Sequence, residues 1–440
     1  MFKRIVWLML ALISSTSHAL ISYQLSHKNI AAKLDDEALH SFSLSNMQQL
    51  ASGKTLSSAD QLAQMLSQRL LAAEARRQYS PEALHPASRI AFARDIAIED
   101  RLASSLRAIY GKELEKAVQA LPGGTLKSLY IEENTLSATQ QEAVFGPAKQ
   151  INLEYALKPE QINRAKEITL VRYQLATKGS LTLYDIYHRQ NVQGRIELYA
   201  KNQEYLNQQI QIAFANLFTI DWASKQFGTQ ALNDYRRSLK DQEDAEALMK
   251  IHGIGDQHDV SDYLNQLAKK TSPAEIADYY RKHKNEFKRI AKVKARHIRV
   301  NNEALAKTLI LQLKLGEDFA AIARQHSIAS DAEKGGDLGW ITHQGALNWV
   351  EQIAFSQTDI SQAFRSPVGP DEKATWEIIK VEQRVEDYQA ADSESVRYAA
   401  SAQIALQKSR AQFKRLLDQQ WKNAKIEVNP SIGKIKLNLK

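Results

Sequence analysis

Apolar residues recur at helical spacing through much of the chain. Leu62, Leu66, Leu70 and Ala73 fall on one face of a segment whose Arg69, Glu74, Arg76 and Arg77 fall elsewhere, the pattern of an amphipathic helix. Ser58-Ala-Asp-Gln61 stands just ahead of it with capping-box spacing and predicts its start. A second helix is expected from about Ser88 to Tyr110, with Ile90, Ala97 and Leu102 inward and Gly111 placed to end it. Leu206, Ile210, Ala213 and Leu217 keep a stripe through Asn202–Trp222. The clearest start is Ser272-Pro-Ala-Glu275, which joins an N-cap serine, proline at the first helical position and glutamate three residues after the cap. Ser393–Trp421 reads as a long closing helix with Phe413, Leu417 and Trp421 on one side. A single apolar stripe of this kind is expected to pack back on the chain's own helices.

Other stretches alternate instead. Val293–Val300 alternates and is β-branched, predicting a strand with His297 inside it. Trp376–Val381, Ile426–Val428, Ser180–Tyr187 and, weakly, Leu20–Ile30 read the same way. Between the strands at 293 and 376 lie a helix from Asn302 carrying Leu305, Leu309 and Leu313 and stopped by Gly316, a short helix Asp318–His326, and another at Val350–Phe355. Strands at both ends with helices between them predict an α+β domain over about 290–385. Residues 121–160 read as irregular or extended connection. The order of short strand, spacer and long helix in 20–78 returns at 179–222, a likeness of pattern and not of identities that leaves a duplicated unit open.

Composition narrows the setting. A chain of 440 residues with 25% charged and 44% apolar residues has room for two or three domains with their own cores. Lys3 and Arg4, the apolar run Ile5–Ile13, and the small residues Ser17 and Ala19 read as a secretory signal peptide cleaved after Ala19. Its loss lowers the formal net charge of +8 by two. That mild excess forms no concentrated basic stripe, which argues against nucleic-acid binding. Cysteine is absent, so neither disulfides nor a lipid on cysteine is available. The chain is expected to be exported to the periplasm, with no stable membrane insertion.

Lys334-Gly-Gly-Asp-Leu-Gly-Trp340 is the most distinctive stretch. Glycine so concentrated is unsuited to a helix or strand interior and suits a tight left-handed loop. His326 and His343 flank it without metal-ligand spacing and read as surface residues. Trp340 and Phe355 read first as core aromatics, and His297 as a hydrogen-bonded strand histidine. Neither a nucleophile triad nor a phosphate-binding glycine pattern is discernible, and no metal or cofactor is implied.

Taken in order, Tyr279-Tyr280 and Phe287, Ala295–Val300, Leu315-Gly-Glu-Asp-Phe-Ala320, then Ser327 and Gly335–Trp340 resemble the parvulin family of peptidyl-prolyl isomerases. The flanking arrangement is similar to SurA-type periplasmic foldases. The resemblance implies a four-stranded antiparallel sheet wrapped by helices over 289–386, attached to a mainly α-helical chaperone-like region over 20–288 with a break near 160–180. Residues 387–440 would form a C-terminal helix packing on that region. Position by position, the resemblance implies a catalytic pair at His297 and Glu377, where the family has a second histidine, and a proline pocket at Leu338, Ala346, Val350 and Phe355. Glu377 would either face solvent or accept a proton from His297 and fix its tautomer. Ala329 occupies the usual polar or acidic position, with Asp331 two residues on. These replacements predict a weakened isomerase. The expected function is cis–trans isomerisation of X-Pro bonds in unfolded or partly folded exported polypeptides; the alternative is a holdase chaperone with a weak or inactive parvulin domain.

Overall fold

The computed structural model describes residues 20–51, 56–86, 91–147, 155–255, 261–343, 346–369 and 373–435. The expected signal peptide, and the expected helix start at Ser88–Ile90, lie outside them. The chain divides into two compact units, one formed by residues 1–265 with 406–440 and the other by 266–405.

The first unit has two apolar cores. One gathers Leu62, Leu66, Leu102, Leu106, Tyr235, Leu239, Phe413 and Trp421 from the helices Ser58–Gln78, Arg94–Gln119, Thr229–Ile251 and the end of Glu394–Asn423. It also covers a sheet ordered Leu20–Ser22, Lys425–Val428, Ile30–Leu34, Glu37–His40. In that sheet the first and last strands among the described residues pair in parallel, Ile21 beside Ile426. The other core surrounds Leu170, Leu183, Ile186 and Phe214. It is built on an antiparallel sheet of Tyr130–Glu133, Thr169–Gln174 and Lys178–Thr182. Helix Gln203–Phe227 serves both cores, giving Phe214 to one and Ala223 to the other.

Several expectations are corrected here. The mainly helical region ahead of the parvulin stretch also contributes strands to these two sheets. Within 121–160, strand Tyr130–Glu133 and helix Ala138–Phe145 replace the irregular connection; the strand is short and mostly exposed, so it carries little apolar alternation. In Ser180–Tyr187 the chain turns from strand to helix at Leu183, capped by Thr182 and Asp185. The cap of the helix at 58 is Ser57, whose hydroxyl accepts from the Asp60 N–H at 3.1 Å. Gly111 does not end its helix, which runs on to Gln119 past a kink at Tyr110 (φ −113°, ψ 26°). A glycine inside a helix costs only about 1 kcal/mol relative to alanine, and the buried Leu114 lies beyond it. Arg69 and Glu74, assigned to the polar side of their helix, are both buried. Arg69 bonds Asp234 at 2.7 Å and Asp241 at 3.0 Å across to helix Thr229–Ile251, because buried charge is tolerated when it is paired and hydrogen-bonded.

The first complete helix of the second unit is Pro273–Lys282, where the reciprocal Ser272–Glu275 capping box is present. Tyr279 and Phe287 pack with Val396, Ala400 and Ile404 from the start of helix Glu394–Asn423. The sheet follows in the order Asp337–Thr342, Lys288–Val300, Trp376–Tyr388, Phe364–Arg365, all neighbours antiparallel. Only the first three strands are substantial, the edge strand having two residues. Alternation along the central strands gives the sheet two faces. One carries Ile298, Val300 and Ile378 under helices Glu303–Lys314 and Phe319–His326. The opposite face carries Val293, Ala295, Ile379 and Val381 against helix Trp349–Ser356.

Candidate functional site

His297 continues the second of these faces. It follows Val293 and Ala295 at intervals of two, and Glu377 precedes Ile379 by two in the partner strand. The face therefore changes character along its length, from an apolar cluster to a group of charges. Val350 belongs to the buried apolar cluster, and Leu338, Phe355, Leu347 and Trp349 pack against it. Val350 is buried, while Leu338 and Phe355 are half-buried. Ala346 is exposed ahead of the helix and is not part of the cluster. Leu338 has no register partner, because the pairing moves from Ala295–Gly339 to Arg296–Asp337. A bulge of this kind re-aims the side chain of the extra residue.

The charged end is a continuous chain of hydrogen bonds. His297 Nδ1 lies 2.8 Å from Glu377 Oε2, and His297 Nε2 lies 3.0 Å from both oxygens of Asp331. Arg299 Nε donates to the other Glu377 oxygen. Glu377 is 0% exposed, and His297 is buried; Asp331 keeps 22% of its side chain open to solvent. Burial opposes a charge on the His297 ring, but the Glu377 bond and charge, joined by those of Asp331, outweigh it and raise the pKa above the ordinary value. With a carboxylate on each side, both ring nitrogens can donate, which is the arrangement of an imidazolium.

The glycine loop holds this geometry. The His297 N–H donates to the Gly336 carbonyl at 2.8 Å, and the Gly336 N–H donates to the Asp331 carbonyl at 3.0 Å. Gly336 has φ +66°, and a Cβ there would sit 2.0 Å from the His297 carbonyl oxygen. No side chain fits such an approach. Trp340, in contrast to the core role expected for it, is 44% exposed, with Lys292 Nζ 4.5 Å above its ring. His343 is exposed and its ring lies 4.0 Å from that of Phe355.

Of the residues expected at the site, His297, Glu377, Leu338, Val350 and Phe355 share one sheet face. Sequence reasoning left Asp331 outside the site because it follows the family position by two residues, and it missed Arg299. Alternation could have found the latter, since Arg299 is two residues beyond His297.

Residues 290–383 match the Rotamase family, described as the PPIC-type PPIASE domain. Foldase protein PrsA of Caldanaerobacter subterraneus is 39% identical over 88 residues, 20% of this chain and 28% of that protein. Periplasmic chaperone PpiD of Haemophilus ducreyi is 38% identical over 114 residues, 26% of this chain and 18% of that protein. Among solved structures, NmPin, the parvuline of Nitrosopumilus maritimus, is 33% identical, covering 21% of this chain and 95% of its own, with a TM-score of 0.18. This chain carries a parvulin domain of the PpiC type. It spans 28%, 50% and 18% of the lengths of three curated relatives, which are foldases and a chaperone by name. Among the described residues no helix is long and apolar enough to cross a membrane.

Proposed function

We propose that this protein is a peptidyl-prolyl cis–trans isomerase that assists the folding of exported polypeptides in the periplasm, its leader at residues 1–19 directing it there. Residues 289–386 form the isomerase domain in this reading, and the helix-rich remainder holds unfolded segments. The observation that carries the reading is the sheet face on which the His297 charge chain adjoins the Leu338–Phe355 apolar cluster.

Rotation about an X-Pro bond meets a barrier of about 18–20 kcal/mol, set by the partial double bond of the amide. No bond is made or broken, so the site needs only to favour the twisted amide over the planar one. Leu338, Val350 and Phe355 would take the proline ring. Asp331, the solvent-open end of the charge chain, would bring negative charge toward the prolyl carbonyl. Such charge disfavours the resonance form with a negative oxygen, which is the form that keeps the amide planar. His297 and Glu377 would hold Asp331 in place. Uncatalysed isomerisation takes tens to hundreds of seconds, slow enough to limit folding.

Isomerisation of a short X-Pro peptide by the full chain, beside His297→Ala, tests the reading. Acceleration that falls in the variant supports it; a wild-type rate equal to the uncatalysed one refutes it. The covering of Phe355 by the His343 ring favours a second reading, in which the domain is a weak catalyst and the protein acts as a holdase. Suppression of client aggregation that survives Leu338→Asp supports that one.

A further inference from the structure

We infer that Arg299 is a positioning residue of the isomerase site, the cation that fixes Glu377 and through it the ring of His297. The inference rests on the isomerase reading of that face.

Glu377 has no exposed surface, and a carboxylate is tolerated there when both oxygens are bonded and its charge is paired. His297 Nδ1 occupies Oε2 at 2.8 Å. Oε1 faces a different donor, the Nε of Arg299. Strand register makes this partnership obligatory in space. Arg299 stands directly opposite Glu377, whereas His297 stands opposite Ile379, one pair along on the same face. The guanidinium thus prevents the carboxylate from turning away from the histidine.

The backbone of Arg299 grips the other flank of the same ring. Its N–H donates to Ser327 Oγ at 3.1 Å, and its carbonyl accepts from the Ile328 N–H at 2.8 Å. Those two residues begin the turn that carries Asp331 to His297 Nε2. One residue therefore holds both carboxylates that flank the imidazole, one by its side chain and the other by its main chain. Because the main-chain grip survives substitution, Arg299→Leu removes the side-chain role alone. An ordinary surface ion pair would not behave this way, since its acidic partner would be hydrated and free to rotate.

The test uses the full chain with Arg299→Leu, Arg299→Lys, Glu377→Gln and the double variant Arg299→Leu/Glu377→Gln. Two readouts are taken, the His297 ring signals in nitrogen–proton spectra at pH 6, below the ordinary histidine pKa of about 6.5, and the exchange rate of a short X-Pro peptide. In wild type both ring nitrogens should carry protons. Arg299→Leu should alter the Nδ1 signal and lower kcat/KM, mostly through kcat, by up to about a hundredfold, the scale at which a misplacement of about 1 Å costs rate. Arg299→Lys should recover most of both, and Arg299→Leu should add nothing in the Glu377→Gln background, the sign of one coupled unit. Wild-type ring signals and kcat/KM in Arg299→Leu would overturn the inference, even with a lowered melting temperature. Should Arg299→Leu not fold, Arg299→Gln, which keeps a polar side chain without the charge, decides it: wild-type ring signals there count against the inference, and altered signals that Arg299→Lys restores count for it. Should the wild type not accelerate the peptide, the isomerase reading fails and the ring signals alone judge whether Arg299 positions Glu377.

Discussion

His297 and Glu377 are 80 positions apart in sequence, yet Nδ1 of one lies 2.8 Å from a carboxylate oxygen of the other, with Glu377 wholly buried. Glu377 is thus not solvent-facing. It is the acceptor that defines one side of the imidazole, while Asp331 defines the other.

The His297 pKa lies above its ordinary value, because the two carboxylates outweigh burial. A group raised on folding contributes stability that is complete below the unfolded pKa, about 6.5, and is lost as pH rises through the folded value. Titration of the His297 ring by NMR in the full chain should give a midpoint above 6.5, and resistance to urea of the parvulin unit should decline toward alkaline pH. A midpoint at or below the free value would contradict the charge chain.

His252 should behave in the opposite sense. Burial lowers its pKa, with its ring against Tyr263 at 4.5 Å and Phe413 at 5.4 Å. A group depressed in this way contributes stability present above the unfolded pKa and lost as pH falls through the folded one. Urea midpoints of the first unit, followed by tryptophan emission, should drop between pH 7 and pH 5. His252→Phe should flatten that slope.

Gly336 and Gly339 share a positive φ but differ in what surrounds them. A Cβ on Gly336 would meet the His297 carbonyl at 2.0 Å, whereas one on Gly339 meets nothing within 4 Å. Gly339→Ala should cost about 1 kcal/mol for the left-handed backbone. Gly336→Ala adds overpacking and should cost about 3 kcal/mol or more, with loss of isomerase activity. Denaturant melts of the two variants side by side measure the difference.

Arg69→Met should destabilise the first unit by about 3 kcal/mol, the low end for breaking a buried ion pair. The low end applies because Asp234 retains the Ser43 hydroxyl at 2.6 Å and the His40 N–H at 2.7 Å. Arg77→Met, on the same helix and largely exposed, should change stability far less. Equal losses in the two would show that the buried pairing contributes nothing special.

Much of the parvulin unit is legible in the sequence because its signals are local. The Ser272–Glu275 box, the alternation of Val293–Val300 and the glycines at 335, 336 and 339 act through neighbours a few residues away, so residue type and spacing suffice. The sheet at 130–182 was hidden, because its short exposed strand carries no periodic apolar pattern. Arg69 read as a polar-face residue because nothing near it in sequence announces Asp234 and Asp241 on a facing helix. The site divides in the same way. Sequence alone set His297 into a strand and a left-handed loop after it. The choice of partners belonged to tertiary structure, since strand register decides that Arg299 faces Glu377, and the turn anchored on Arg299 brings Asp331 to the ring. Burial then converts that proximity into a charge chain, because carboxylates and an imidazole held out of water must bond one another.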